Sequence, residues 1–271
     1  MSALAVSSSG LIGQAGMFRT ETAKGLRLMW RRRSMVILGT VLIGLNYLGI
    51  SFFIGGGHLV KGLMIRTLPA QLALAIAQTA GVQGPGGIAE EINGGTLEQT
   101  QLSPAGPSLM ALGRMTALAI EGLSVAVVLG LVFTLGGVVD LHPHAATVVP
   151  AVLTALDAIG YGLVMTALTI RVASIGAISH VGNMMVMAFA GMMVPIAMFP
   201  HGLETFAKFI PTALGVQAVD TTLAGHPLSA TWDDGTLPWL LVHTIVALAL
   251  GMTIYVRNIA RAQQDGGLSP R

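Results

Sequence analysis

The stretch MTALAIEGLSVAVVLGLVFTLGGVV, residues 115–139, contains one ionisable residue, Glu121, in an otherwise apolar run. It is longer than the ~20 residues that a helix needs to cross ~30 Å of hydrocarbon. The whole chain of 271 residues is 53% hydrophobic and only 10% charged, with a mean hydropathy of +0.76. This composition predicts an all-α integral membrane protein and excludes an ordinary soluble domain.

Five other apolar runs flank this one and give six predicted transmembrane helices. The second run is the shortest and contains Pro69, so an earlier start is an alternative, with Lys61 and Arg66 reaching the headgroups. An even number of spans places both termini on one side. The predicted spans are Met35–Ile54, Thr67–Ala80, Met115–Val139, Ala146–Thr169, Val181–Phe199 and Leu237–Tyr255.

The distribution of Lys and Arg predicts the orientation. With both termini in the cytoplasm, ten of the 14 basic residues lie inside, and Lys61, Arg66 and Lys208 lie outside, while Arg114 lies near a span end. Cytoplasmic segments carry the excess of positive charge in membrane proteins. We therefore expect a multi-pass protein of the plasma membrane with both termini cytoplasmic. A net charge of +2 gives no indication of nucleic-acid binding.

The pattern around the spans predicts the rest of the organisation. The cytoplasmic tails lack sustained apolar runs, and a stretch rich in Arg and apolar residues before the first span is typical of an amphipathic interfacial helix. The predicted segments are a flexible cytoplasmic tail at 1–17, the interfacial helix at 18–34, a six-span domain at 35–256 with a coupling loop at 82–107 and an outside helical segment at 200–236, and a cytoplasmic tail at 257–271.

The outside segment has helical periodicity of its own. Four apolar residues at positions i, i+3, i+4 and i+7 predict a helix that follows Pro200, and a second run, ALGVQAVDTTLAG at 213–225, predicts another short helix. An amphipathic cap on the outer leaflet and a gating element are both open interpretations. The four residues are Leu203, Phe206, Ala207 and Ile210.

The sequence lacks the motifs of catalytic and metal sites. It has no cysteine, no HExxH and no GxSxG, and His142 and His144 flank a proline in a loop without other ligands. None of the lysines lies in a GxxxxGK[ST] phosphate-binding loop. We expect no enzyme activity, no metal and no cofactor in this chain, so ATP hydrolysis would require a separate polypeptide.

The charge that the spans lack is concentrated in EEINGGTLEQTQLSP, residues 90–104. Thr96 and Gln99 have the spacing of a capping box, Glu98 places negative charge in the first turn, and Pro104 would end the helix. So short a helix is not stable alone in water. We expect it to pack against the protein's own helices or against a partner.

This stretch resembles the cytoplasmic coupling-helix motif of type-two ABC transporter permeases, the class that exports drugs and polysaccharides. The basic helix before the first span, the segment MFPHGLETFAKFIPTALGVQAVDTTLAG and the ending RNIARAQQDGG extend the resemblance. Thr100 departs from it, because the family has an apolar residue there. The residues on the motif are Glu91, Gly95, Thr96, Leu97, Glu98, Ser103 and Pro104.

The resemblance implies a permease subunit of an ATP-driven exporter of amphipathic substrates. It would pair with a second permease, identical or homologous, and with two ATP-binding subunits that hold ATP and Mg²⁺. Its coupling residues would be those on the motif. A stand-alone secondary carrier or channel is the alternative, although the sequence shows neither clear internal repeats nor paired broken helices.

Polar and soft residues inside the spans are the candidates for a substrate path. Glu121 and Asp157 lie mid-span, where a charge must face protein or water. Pairing of Glu121 with Arg114, two turns earlier, is the structural alternative. Met185 and Met192 belong to a methionine-rich fifth span that indicates either an adaptable cavity or a helix interface.

Overall fold

The structure is a computed structural model that describes residues 11–97, 106–141, 144–171 and 175–264. All regular structure within these ranges is helical. The helices are α1 (Leu11–Arg31), α2 (Arg33–Ile54), α3 (Lys61–Gln78), α4 (Gly84–Asn93), α5 (Pro107–Leu135), α6 (Val148–Thr169), α7 (Ile175–Phe189), α8 (His201–Ala207), α9 (Ala213–Leu223), α10 (Leu228–Asp233) and α11 (Thr236–Gln264).

Four of these described helices are long and apolar enough to cross a membrane: α2, α5, α6 with its preceding 3₁₀ turn, and α11. Their exposed faces are lined by Leu, Val and Ile, as lipid contact requires. Shorter apolar helices, α3 and α7, lie beside them. The all-helical membrane fold expected from the sequence is confirmed, while the number of six spans remains a prediction.

Several predicted boundaries are wrong. The fifth span was expected to reach Phe199, but α7 ends at Phe189, because Gly191 adopts φ +92°, a left-handed conformation that no α-helix contains. Pro195 lies outside α7, immediately before a 3₁₀ turn at Ile196–Met198. At the other end of the chain, α1 begins at Leu11 and not at Phe18, so part of the expected flexible tail is helical.

The second predicted span continues into the segment that was expected to form the coupling loop. Its helix starts at Lys61, as the alternative start before Thr67 required, and π-helical turns at Thr79–Gln83 join α3 to α4. The wider π turn changes the direction in which side chains project, and such insertions are common at functional positions. The segment expected as a coupling loop at 82–107 thus begins as a helix.

The helix α1 packs along the first half of α5 and does not stand apart from the bundle. Gly25 lies against Ala117, and the hydroxyl of Thr22 donates to the carbonyl of Gly113 at 3.4 Å. Further along, Gly44 of α2 faces Leu129 of α5. Residues further along α1 and α2 contact residues further along α5, so α1 and α2 run parallel to α5.

The helices α6 and α11 form the most extensive contact between any two of the described helices. A Cβ built on Gly160 would lie 2.7 Å from the Cβ of Ala247, and one built on Gly251 would lie 2.7 Å from the Cβ of Leu163. Only glycine permits such a close approach of two helix backbones, which is the usual way in which helices pack in membranes.

The predicted outside segment at 200–236, here called the outer segment, contains the two predicted short helices and a third. The helix α8 follows Pro200 as expected, and α9 covers most of the predicted second run, whereas α10 was not predicted. Of the predicted apolar face, Ala207 and Ile210 are buried. The turn between α8 and α9 reaches the middle of α6, so this segment enters the bundle.

Candidate functional site

The motif residues begin at the C-terminal end of α4. The N–H of Thr96 donates to the carbonyl of Glu91 at 2.9 Å, and the N–H of Gly95 donates to that of Ile92 at 3.1 Å. Gly95 has φ +64°. These bonds form a Schellman motif, in which a left-handed glycine ends a helix and satisfies its last carbonyls. The motif's glycine therefore has a structural role before any partner binds.

Leu97 attaches the same segment to the bundle. Its side chain is 1% exposed and packs in an apolar cluster with Ile88, Met115 and Ile259, which lie on α4, α5 and α11. The expected coupling residues Glu98 and Pro104 lie outside the described residues. The part of the motif that the structure describes is thus anchored on helices that extend into the membrane domain.

Arg114 does not pair with Glu121, which corrects the structural alternative drawn from the sequence. Its guanidinium instead donates to the carboxylate of Glu91, and both side chains are about three-quarters buried. The prediction failed because it considered only neighbours on the same helix, whereas α4 presents a closer acid. The ion pair ties the helix that precedes the motif to the start of α5.

Glu121 has a partner that sequence analysis missed. Arg32, the residue between α1 and α2, donates from Nη2 to Glu121 Oε2 at 2.7 Å and to Gln83 Oε1 at 2.6 Å. The Glu121 side chain is 3% exposed and that of Arg32 is 45% exposed. A buried acid is thereby neutralised by an arginine from the junction of α1 and α2, and α2, the π turn and α5 meet at one point.

A cavity of about 370 Å³ lies among α1, α4 and α5. Charged residues of both signs line it, and the two ion pairs just described form part of its wall. Such a polar cavity is suited to water or to polar groups of a partner, and not to an apolar substrate. Its charged lining residues are Glu21, Lys24, Arg32, Glu90, Glu91, Arg114 and Glu121.

Asp157 lies in the middle of α6 and is 1% exposed. Its Oδ1 is 2.7 Å from Nδ1 of His243 on α11, and its Oδ2 accepts the backbone N–H of Thr212 at 2.7 Å. Both carboxylate oxygens are therefore occupied. One bond ties α6 to the neighbouring helix α11, and the other holds the turn between α8 and α9.

Thr212 is the strained residue of this turn. It has φ +69°, which is rare for a β-branched residue, and it is 1% exposed. Strain of this kind persists only where surrounding contacts hold it, and it is concentrated at functional positions. The hydrogen bond to Asp157 is such a contact. Nothing in the local sequence indicates a left-handed threonine, so this residue could not have been found without the structure.

The comparison with known families decides the identity of the fold. Residues 63–253 match the family described as ABC-2 family transporter protein, which covers well over half of the chain. This chain belongs to the ABC-2 transporter family. No curated protein matches it.

Membership makes the ABC-2 protein a multi-pass membrane permease of an ABC transporter, and it implies association with ATP-binding subunits. The resemblance drawn from residues 90–104 is confirmed by the match. The matched region includes both acids, the described coupling residues and the outer segment.

The two candidate methionines of this ABC-2 permease have different environments. Met192 is 2% exposed and belongs to the apolar core below the outer segment. Met185 is 37% exposed and lines a cavity of about 340 Å³ between α6, α7 and α11, whose wall includes Asp157 and His243. Only Met185 is thus placed to contact a ligand in this conformation.

Asp220 is a further acid of the permease, in the outer helix α9. Burial raises the pKa of its carboxyl from 3.8 to about 8, and the positive charge of Arg66 on α3 opposes this shift. The side chain is half-buried. Its protonation state in the folded protein therefore changes near neutral pH, unlike that of a solvated aspartate.

Proposed function

We propose that this permease is the membrane subunit of an ATP-driven exporter. It pairs with a second permease, identical or homologous, in the plasma membrane with both termini in the cytoplasm. Separate subunits bind ATP and Mg²⁺ and dock against the segment from Glu91 to Pro104. The six predicted spans of each permease line the substrate path.

The observation that carries the proposal is the attachment of the motif to the membrane domain. Leu97 is buried among α4, α5 and α11, and Glu91 is paired with Arg114 on α5. A displacement of the motif by a partner would therefore move three helices. This supports a mechanical role for the segment, because a simple connector would not require a buried side chain and an ion pair.

The first test asks whether the chain works with a separate ATPase. The protein is extracted from its native membrane in mild detergent, and intact complexes are weighed by mass spectrometry. We expect two ATP-binding subunits and two permeases, with ATPase activity that is absent from the purified permease alone. A permease that transports substrate alone after reconstitution would contradict the proposal and favour a carrier or channel.

Replacement of Glu98 by Lys tests the coupling segment directly. Glu98 is expected to accept charge-assisted hydrogen bonds from the ATPase, and a positive charge in the first turn also opposes the helix dipole. The loss is about 1–3 kcal/mol of docking free energy, so transport and ATPase co-purification should fall by roughly fivefold or more.

The matched control for this variant is Glu204→Lys in the outer helix α8. Glu204 is a partly exposed acid that pairs with Lys208 at 3.4 Å, and on the proposed orientation it is remote from the ATPase. Its reversal should leave docking unchanged at equal expression. Undiminished transport and an intact complex for Glu98→Lys would show that the segment is only a connector.

A further inference from the structure

The cavity between α6, α7 and α11, here called the outer-turn cavity, has apolar walls and a mouth that faces the bilayer. Its volume is about 340 Å³, and the residues Ile210 and Pro211 of the outer turn close one side. On α11, Val246 and Leu250 line it and are 47% and 52% exposed. Because α11 is long and apolar enough to cross the membrane, this exposed face lies against lipid.

The outer-turn cavity offers no unpaired carboxylate oxygen to a ligand. Asp157 is its one acidic lining residue, and both oxygens already interact, one with His243 and one with the N–H of Thr212. A lipophilic cation would have to displace one of these buried bonds, which is unfavourable because the displaced donor would lose its partner. The geometry therefore favours an uncharged ligand.

One buried polar group in the wall lacks a partner. Tyr161 is 5% exposed, and its hydroxyl makes no hydrogen bond with any part of the chain that the structure describes. The hydroxyl lies beside Gly182, which also lines the cavity, and a Cβ on that glycine would be 2.6 Å from it. An unpaired hydroxyl in an apolar environment costs roughly 1–3 kcal/mol, so a ligand that bonds to it is favoured.

The remaining wall suits a hydrocarbon body of variable shape. Met165 and Met185 line the outer-turn cavity, and thioether side chains adapt to different apolar ligands at low cost. An apolar cavity with one well-placed polar group is the usual form of a site for small molecules. The apolar walls thus favour a hydrocarbon body, and the hydroxyl of Tyr161 favours one polar group that can hydrogen-bond to it.

We propose that the outer-turn cavity binds an uncharged molecule from the bilayer with a hydrocarbon body and a single hydroxyl group, which hydrogen-bonds to the hydroxyl of Tyr161. The identification of this ligand as transport cargo rests on the proposed function. The binding itself does not, since it is a property of the permease without ATPase subunits. A failure of ligand binding is therefore distinguishable from a failure of the exporter proposal.

The test uses the full-length protein in lipid nanodiscs and three photoreactive ten-carbon probes. Each carries the same chain and diazirine and ends in a hydroxyl, a methyl or an ammonium group. Labelled positions are located by mass spectrometry. We expect the alcohol to label the cavity residues about fivefold more than the methyl-ended probe does, which is the factor that one net hydrogen bond supplies.

Two buried tyrosines provide a matched pair of variants. Tyr161→Phe should reduce labelling by the alcohol to that by the methyl-ended probe, with thermal stability unchanged or raised because no bond is lost. Tyr47 is 0% exposed, and its hydroxyl bonds to the carbonyl of Met64 and to Thr67, each at 3.0 Å. Tyr47→Phe should therefore lower stability and leave the labelling unchanged.

A third variant tests the mouth independently of the hydroxyl. Val246→Trp adds bulk at a lipid-facing position and should reduce labelling by both the alcohol and the methyl-ended probe. Equal labelling of the wild type and Tyr161→Phe by the alcohol would overturn the proposal. So would stronger labelling by the ammonium probe than by the alcohol, or labelling confined to residues outside the outer-turn cavity.

Discussion

Two buried acids, Glu121 on α5 and Asp157 on α6, look alike in sequence but hold different parts of the molecule. Glu121 is 3% exposed and pairs with Arg32, which lies between α1 and α2 and remains 45% exposed. Asp157 is 1% exposed and bonds to the backbone of Thr212, which is also buried, and to His243, whose side chain is 24% exposed. The partner of Glu121 is therefore about half exposed, whereas the partners of Asp157 are mostly buried.

The difference teaches that the partner of an intramembrane acid indicates its role better than its depth does. Arg32 connects Glu121 to the junction of α1 and α2 and to the π turn before α4, which are the elements next to the coupling segment. Thr212 connects Asp157 to the strained outer turn. We infer that the two acids fix opposite ends of the permease.

The largest effect is expected from Asp157→Asn. The amide oxygen can still accept the N–H of Thr212, but the group that then faces His243 is an uncharged NH2, so the charge-assisted bond between the ring and the carboxylate is lost inside the bundle. Breaking a buried charged site by changing one partner costs roughly 3 kcal/mol. The free energy of unfolding, measured by mild detergent denaturation, should fall by this amount, and Asp233→Asn at the exposed end of α10 serves as the control. If Asp157→Asn lowered the free energy of unfolding no more than Asp233→Asn does, the bonds of Asp157 would not be what holds the outer turn.

A smaller effect is expected from Glu121→Gln. Arg32 is exposed enough to be solvated and keeps its bond to Gln83, so the loss should be about 1 kcal/mol in the same measurement. Moderate salt should reduce the difference between this variant and the wild type, since ions screen a partly solvated pair. If Glu121→Gln were as destabilising as Asp157→Asn, the exposure of Arg32 would not lower the cost of losing its charged partner.

The third prediction concerns Asp220, a half-buried acid of the outer segment, whose contribution to stability depends on pH. Its pKa is about 8 in the folded protein and 3.8 ordinarily, so the folded state binds more protons between these values. The stability should therefore be greatest below about pH 4 for this group and should fall as the pH rises through 8. Thermal unfolding at a series of pH values measures the slope, and Asp220→Asn should flatten it. An unchanged slope in that variant would assign the pH dependence to other groups.

The membrane fold could be predicted because the length of an apolar run is a local property of the sequence. The end of α7 could not, since Gly191 lies within an apolar stretch and its left-handed turn depends on the packing around it. The burial of Glu121 and Asp157 was predictable from their position in spans. Their partners were not predictable, because Arg32 and His243 are far away in sequence. His243 is itself an ionisable residue within a predicted span, and this position alone indicates that it needs a partner.

The close packing of α6 against α11 has a mechanical consequence. Where Gly160 and Gly251 bring two backbones together, neither helix can slide or rotate without a clash, so the pair moves as one rigid body. Asp157 on α6 and His243 on α11 face each other within this pair, 2.7 Å apart, and are expected to keep this separation throughout any motion. The movement that opens a substrate path must then occur at the edges of this pair, where α7 and the outer turn contact it. Disulfides engineered between α6 and α11 should therefore leave the transport cycle intact.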